Sequence, residues 1–545
     1  MPTDRSPSQP PSPPDLPPPG QAGSGRNALL VGSGILSSRV VGLVRERIFA
    51  HYFGNSAAAD AFKAALKIPN ILQNLFGEGA LSSSFIPVYA RLLASGDRRE
   101  AARVARVVGS LLALAMSLLV LAGMLATPLL IDLIAPGFSG EKREATIRMV
   151  RIVFPGIGLL VLSAWCLGIL NSHRRFFLPY AAPVLWNLAM IGTLVGFGGR
   201  EAPYRLAEYL AWGSVAGSLL QFGVQLPAVL RLAGEIHFQW DVASAQVRTV
   251  IRNFIPGMAT RGVNQVSGAI DTVLASFLPT GAVAALAYTQ TLYLIPVSLF
   301  GMSISSAELP EMSSQLGARD TVAEGLRLRL DRALQRVAFF VVPSAAAFLA
   351  LGDSVIGLLY QTGEFTLEDT RFVWAVLAGY TTGLLAATLG RLYTSAFWAL
   401  GDTRTPFRYA AIRISTAAGV GWLLAFPVPA WLGLPARVGL VGLTAAAGLA
   451  AWVEFSLLRR ALIRRIGRAS LALPHAARLS GAALAAAAAA YALKLWLREL
   501  PPYISGSLVL AVFGSLYLAA AAALGTPDAV RIVRAVRKRM PFRAG

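Results

Sequence analysis

The chain has 545 residues, of which 55% are hydrophobic and only 14% charged, whereas a soluble protein carries about a quarter charged residues. A water-filled surroundings is therefore excluded for most of the chain, and charge-free runs such as Val107–Ile131, Ile152–Leu170, Ala482–Tyr491 and Ser507–Leu524 point to lipid. The net charge of +21 would suggest nucleic acid in a soluble chain, but here the basic residues fall in short loops between apolar runs, which marks orientation in a membrane rather than a nucleic-acid partner.

The runs do not alternate apolar with polar residues, so an outer-membrane barrel is excluded, and open sheets cannot satisfy their edges in lipid. The fold class expected is an all-α polytopic membrane protein. A single cysteine, Cys166, cannot form an internal disulfide, and four scattered histidines offer no metal-ligand spacing. No cofactor is expected, and Cys166 reads as a small buried apolar residue.

Residues 1–25 are rich in Pro, Ser and Gly and read as a disordered tail without the apolar core of a cleavable signal. About fourteen spans follow: 27–52, 58–93, 102–135, 146–171, 176–198, 205–231, 246–279, 281–307, 333–352, 367–400, 406–430, 436–459, 474–498 and 506–526. They group into a first lobe over 26–231, a second over 246–459, a final helix pair over 474–526, and a basic tail over 527–545. Alternate loops carry Arg91, Arg98, Arg99 and Arg103, then Arg174 and Arg175, then Arg231, Arg248 and Arg252, then Arg319, Arg327, Arg329, Arg332 and Arg336, then Arg404 and Arg408, then Arg459, Arg460, Arg464, Arg465 and Arg468, and the tail Arg531, Arg534, Arg537, Lys538 and Arg539. The opposite loops hold chiefly Lys142, Arg143, Arg200, Arg371, Arg437 and Arg498, and the ratio of about three to one puts both termini in the cytoplasm.

Eight cations remain at apparent membrane depth: Arg39, Arg45, Arg47, Lys63, Lys67, Arg261, Arg391 and Arg413. Each costs roughly 2.5–3.5 kcal/mol at the bilayer centre even on a lenient scale, so they must face protein or a wet cavity, or snorkel from helix ends. Arg39 and Arg45 lie well inside the first span beside Ser37 and Ser38, and the second span adds Asp60, Lys63, Asn70, Gln73, Asn74 and Glu78. Asp60 and Glu78 read either as counter-ions of these arginines or as contacts for a ligand. The excess of cations suggests an anionic ligand, because guanidinium forks match phosphate in two-point contact. Asp271 and Arg391 read as an ion pair, with Asp271 alternatively a site for a coupling cation or proton. Pro69, Gly77, Gly79, Pro87, Pro155, Gly156, Pro256, Gly257, Pro296 and Gly301 interrupt the spans and suit helices that bend during alternating access.

Several segments resemble the MurJ (MviN) family of lipid II flippases, within the multidrug/oligosaccharidyl-lipid/polysaccharide exporter superfamily. They are SSRVVGLVRERIFAHYFG from Ser37, ADAFKAALKIPNILQNLFGEGALSSSFIPVYA from Ala59, APGF from Ala135, FPGIGLLVLSAW from Phe154, LNSHRRFFLPYAAPVLWNLAMIG from Leu170, LYQTGEFTLED from Leu359 and ALGDTRTPF from Ala399. The resemblance implies two lobes in a V around a cationic cavity, with two further C-terminal helices forming a groove for a polyprenyl tail. It implies a bacterial inner-membrane transporter that moves undecaprenyl-pyrophosphoryl disaccharide pentapeptide to the outer leaflet. Ser38, Arg39, Arg45, Asp60, Asn70 and Glu78 match the family's functional positions, and Asp271 matches its sodium-site pattern. Three residues after Asn70 the family commonly has Arg, here Gln73, and an Asp-Arg pair aligns with Gln290-Thr291; Arg261 is the expected replacement for one missing charge. The rival readings are a carrier of another lipid-linked saccharide, a membrane-embedded glycosyltransferase, and a non-transporting scaffold. The glycosyltransferase would need an acidic cluster in a sizeable loop, and the loops 231–246 and 308–332 carry none.

Overall fold

Glycine and proline set the punctuation of the chain, and the computed structural model shows where each break falls. It describes residues 21–234, 239, 241, 244–314, 319–467 and 471–539, with side chains except at 21–31, 78, 256–257, 259–261, 263–264, 319–322 and 536–539. Among the described residues every regular element is a helix. In chain order these are α1 (Gln21–Phe53), α2 (Ala57–Phe76), α3 (Glu78–Ala94), α4 (Arg98–Leu125), α5 (Thr127–Ile134), α6 (Gly140–Ser172), α7 (Phe177–Ala181), α8 (Pro183–Phe197) and α9 (Pro203–Ala233). The chain continues with α10 (Ala245–Ser276), α11 (Ala282–Pro296), α12 (Ser303–Ser313), α13 (Arg319–Tyr360), α14 (Leu367–Thr381), α15 (Leu384–Ala399) and α16 (Arg404–Ala425). It ends with α17 (Pro427–Trp431), α18 (Gly439–Ile466), α19 (Leu473–Trp496), α20 (Pro502–Ala523) and α21 (Pro527–Arg539).

Eleven helices or joined helix pairs are long and apolar enough to cross a membrane. The three other expected spans coincide with α1, α2–α3 and α10, which carry six of the eight cations expected at membrane depth. Part of the expected N-terminal tail, residues 1–20, lies outside the described residues, and α1 starts at Gln21. The expected ninth span continues backward through its basic stretch as one long helix, α13, with non-helical backbone at Leu351. The basic C-terminal tail includes α21.

The lipid-facing surface is legible residue by residue. Leu118, Leu121, Leu125, Leu129 and Leu133 are all exposed, a stripe with nothing polar to satisfy, as hydrocarbon requires. Trp431, Trp496 and Tyr503 are exposed at the end of the bundle where α1 finishes and α2 starts, the position of an interfacial aromatic belt.

Inside, α6 packs on α2, α3, α4 and α9, while α18 packs on α14, α15 and α16. Helices α19 and α20 pack on each other and on α13, around Phe339, Phe513 and the alanines of α19. Tyr517 fixes this pair by donating to the Phe339 carbonyl at 2.6 Å.

Two of the resembling segments owe their shape to helix starts. Thr366 and Asp369 form a reciprocal cap on α14, with the Thr366 N–H donating to Asp369 at 2.9 Å and the Asp369 N–H to Thr366 at 3.2 Å. In the loop before α16, the Asp402 carboxylate accepts the N–H groups of Arg404 and Thr405, each at 3.0 Å, and pairs with Arg465 from the end of α18 at 2.6 Å. These donors, the Thr405 N–H foremost, hold the Asp402 carboxyl at about 2. Because the folded value lies below the unfolded one, the contribution is present above about pH 4 and is lost as pH falls towards 2. Asp402→Ala is expected to remove about 1 kcal/mol of stability, the usual value of a cap. Thermal unfolding of the detergent-solubilised chain should show that deficit in full at pH 6 and a smaller one at pH 2.5.

Candidate functional site

The polar residues of α2 are spaced three and four apart, Asp60, Lys63, Lys67, Asn70 and Asn74, so they occupy one face within about 80° at 3.6 residues per turn. That face meets α1 at its beginning and α10 further along: Lys63 pairs with Glu46 of α1, and the Lys67 ammonium lies over Gly268 of α10, where an added Cβ would come within 3.1 Å of it.

The end of the bundle at the α1–α2 turn is sealed across the two halves. Asp60 is 1% exposed; its carboxylate takes Lys142 of α6 at 2.5 Å and, from the other half, the N–H groups of Gly281 and Ala284 at 2.8 and 2.7 Å. The last two stand at the start of α11, where a helix presents unpaired N–H groups and a positive dipole end to an anion. Lys142 also sits 4.1 Å from the Phe138 ring centroid, and the Gly137 N–H donates to Ser276 of α10 at 3.1 Å, so the APGF segment belongs to the same seal. Gly54 (φ +53) approaches Glu364 so closely that a Cβ would lie 2.4 Å from its carbonyl oxygen. Only glycine fits that turn. The Tyr288 hydroxyl donates to the Gly54 carbonyl at 2.9 Å, and Phe49, Phe62, Tyr288, Tyr360 and Phe365 pack ring against ring behind it.

Arg45 is tied into this region rather than left free. Its guanidinium pairs with Glu46 at 2.5 Å, donates to Asn187 at 3.0 Å and lies 4.9 Å from the centroid of the Trp186 ring. Glu46, 6% exposed, holds Lys63 with its other oxygen at 2.6 Å. Arg47 donates to the Leu358 carbonyl at 2.6 Å. Glu46 was not foreseen from the sequence, although it is the only acid in the first span and a carboxylate at membrane depth is signal enough.

Arg39 differs. It is exposed, it donates to the Ser298 hydroxyl at 2.8 Å, and among the described residues it has no carboxylate partner. Ser38 beside it is half-buried. Ser298 stands in a π-helical turn, Val297–Met302, entered from Pro296; a proline and such a turn recur together where a helix is opened for function. Arg391 of α15 lies against the same turn, its Cδ 3.8 Å from where a Cβ of Gly301 would be. Arg391 is exposed and feels Arg413 and Glu454, and Arg413 pairs with Glu454 at 3.0 Å. Arg391 and Arg413 thus share one carboxylate, Glu454, while Arg39 reaches the π-turn from the first half.

The anticipated Asp271–Arg391 ion pair does not form. Asp271 accepts the Tyr380 hydroxyl at 2.9 Å, Gln290 donates to that hydroxyl at 3.2 Å, and the cations within electrostatic reach of Asp271 are Lys67 and Arg413. Arg391 projects instead towards the π-turn, because α15 packs on that segment rather than on α10. Gln290, expected as a lost charge, is a polar link in this network. Thr291 bonds its own helix, to the Ala287 carbonyl at 3.0 Å. Asn70 is exposed on α2. Glu78 opens α3 directly after the Gly77 break, and Arg261 lies on α10; the side chains of both are outside the described residues. Cys166 is buried.

The sequence profile of the lipid II flippase MurJ family matches residues 49–514. A probable lipid II flippase MurJ of Rhizobium meliloti (strain 1021) is 31% identical over 524 residues, covering 93% of this chain and 95% of the relative. The lipid II flippase MurJ of Burkholderia cenocepacia is 31% identical over 448 residues, covering 80% and 84%. Among solved structures, a lipid II flippase MurJ in an inward closed conformation superposes with a TM-score of 0.75 at 23% identity, covering 91% of this chain and 98% of that one. The fold is therefore that of a membrane transporter, and the chain belongs to the lipid II flippase MurJ family.

Proposed function

We propose that this chain carries lipid II, the undecaprenyl-pyrophosphoryl peptidoglycan precursor, from the cytoplasmic to the outer leaflet of the bacterial inner membrane by alternating access. The observation that carries the reading is Arg39: a guanidinium inside a spanning helix, exposed and, among the described residues, bonded to a neutral serine and to no carboxylate. An ion kept at that depth without a counter-ion is costly, and a pyrophosphate drawn in beside Arg39 and Arg391 offsets that cost for both partners. The prenyl chain stays in lipid, so the barrier that transport must lower is the burial of the diphosphate.

The two halves α1–α9 and α10–α18 act as lobes, and rocking one against the other exchanges access. With both termini in the cytoplasm, the Asp60 seal closes the outer side. Helices α19 and α20 border the lipid-tail groove. Asn70, Glu78 and Arg261 belong to the wall that the head group passes, and Asp271 with Tyr380 and Gln290 is the place where an ion would couple. The test is depletion in living cells, followed by measurement of lipid II accessible from the outer leaflet. Outer-leaflet lipid II should fall to background within the time the protein is lost; undiminished delivery would reject the assignment.

A further inference from the structure

A second polar feature lies within the first half and takes no part in either the seal or the cationic cluster. Where α2 breaks into α3 at Gly77, a cavity of about 130 Å³ opens against α6, α7 and α9. Gln73, Asn74, Gly79, Ser163 and Gln221 line it, with Leu160, Leu167 and two prolines as its apolar wall. Among the described residues no charged side chain lines it. Phosphate is thus a poor occupant, and an uncharged group with several hydrogen bonds is a good one.

The donors and acceptors are already oriented. Ser163 is buried and its hydroxyl oxygen accepts two amide N–H groups, from Gln225 at 2.7 Å and Gln221 at 3.2 Å. A hydroxyl has two lone pairs and one proton, so with both lone pairs occupied its proton is left to donate. Behind Ser163, outside the cavity lining, Gln225 is 1% exposed, and among the described residues its side-chain carbonyl oxygen has no partner. Gly79 lies in the first turn of α3, which has no side-chain cap, so its N–H lacks a helical acceptor. Asn74 is exposed and belongs to the polar stripe of α2, so the cavity reaches the face that meets the other half.

We propose that this cavity is a subsite for the acetamido group of an N-acetylated sugar. Such a group needs a donor for its carbonyl, an acceptor for its N–H and an apolar surface for its methyl. The Ser163 hydroxyl and the Gly79 N–H, the amide oxygens, and the leucine–proline wall supply the three. The subsite rests on the reading that the cargo is a glycosylated polyprenyl pyrophosphate, and its placement suits that cargo. Gly34 of α1 packs on Tyr180, next to the cavity-lining Pro179, and Arg39 stands five residues further along α1, about 7.5 Å by helical rise. A pyrophosphate at Arg39 and the sugar attached to it can therefore be held together.

The experiment compares equilibrium binding of lipid II and of undecaprenyl pyrophosphate, which lacks sugar, to the full-length protein in nanodiscs. The native chain should bind lipid II about tenfold more tightly. Gln221→Leu and Ser163→Ala should lose that preference while binding undecaprenyl pyrophosphate unchanged. If Gln221→Leu does not fold, Asn74→Ala, at an exposed position, carries the same expectation. Equal native affinities would overturn the subsite and leave a cavity that holds about four waters; so would variants that keep the preference. Failure of the native chain to bind either lipid would count against the proposed function itself.

Discussion

Replacing Arg39 or Arg391 by Ala should lower lipid II flipping in proteoliposomes by about 30- to 100-fold each, with little change in thermal stability. Both side chains are exposed, and neither makes an ion pair among the described residues, so removing them leaves no buried carboxylate unmatched. Surface changes of that kind stay within about 0.5 kcal/mol. Each guanidinium lost to a pyrophosphate forfeits a charge-assisted contact of roughly 2–3 kcal/mol, and 1.4 kcal/mol is a factor of ten. Lysine at either position keeps the charge but not the two-point fork, so Arg39→Lys should recover only part of the rate. Arg45→Ala should behave differently. It strips Glu46 of one of its two cations, and its loss should show in unfolding before it shows in transport. Native-like flipping by the Arg39→Ala, Arg391→Ala double variant would sink the idea that the π-turn cluster receives the pyrophosphate.

How far the sequence reaches is clearest at these same residues. Span positions were legible because lipid imposes apolar length, and α1, α2–α3 and α10 are the spans that hold most of the cations at that depth. Breaks were legible as well: Gly77 divides the second span, and Pro296 leads into the π-turn. The presence of surplus cations could be read; their partners could not. Pairing depends on which helices pack together, and no periodicity in one helix reports that. Lys142 looked like an ordinary loop cation, yet it reaches Asp60 from another helix. Asp271 and Arg391 looked complementary in charge, yet α15 turns Arg391 towards the π-turn while Tyr380 supplies the hydrogen bond to Asp271. The amide-lined cavity was invisible for a further reason: Gln73, Ser163 and Gln221 come from three helices, and an isolated Gln or Ser in a span carries no distinctive signal.

The seal at the α1–α2 turn yields the other large effect. Asp60 joins one half to the other through a single carboxylate that is almost wholly enclosed and takes one ammonium and two helix-start N–H groups. The Lys142 pair lies within the first half, but the two N–H contacts exist only while the halves are closed at this end; once they part, water can solvate the same carboxylate. The stabilisation therefore acts on the equilibrium between closed and open forms as well as on folding. A hydrogen bond to a charged group is worth about 1.5–3 kcal/mol, and water takes over part of that once the two N–H contacts open, so about 2 kcal/mol is the reasonable magnitude here. That corresponds to roughly a 30-fold shift towards the form open at this end. Asp60→Asn keeps an acceptor for the α11 N–H groups but without the charge that strengthens those bonds, and should shift the balance less than Asp60→Ala. A cysteine placed at Asn55, beside Gly281 in the closed turn, gives the readout in a Cys166→Ser background. Its modification by a membrane-impermeant maleimide should accelerate in the order native, Asp60→Asn, Asp60→Ala. Equal modification rates in all three would mean that Asp60 merely helps the chain to fold and does not hold this end shut.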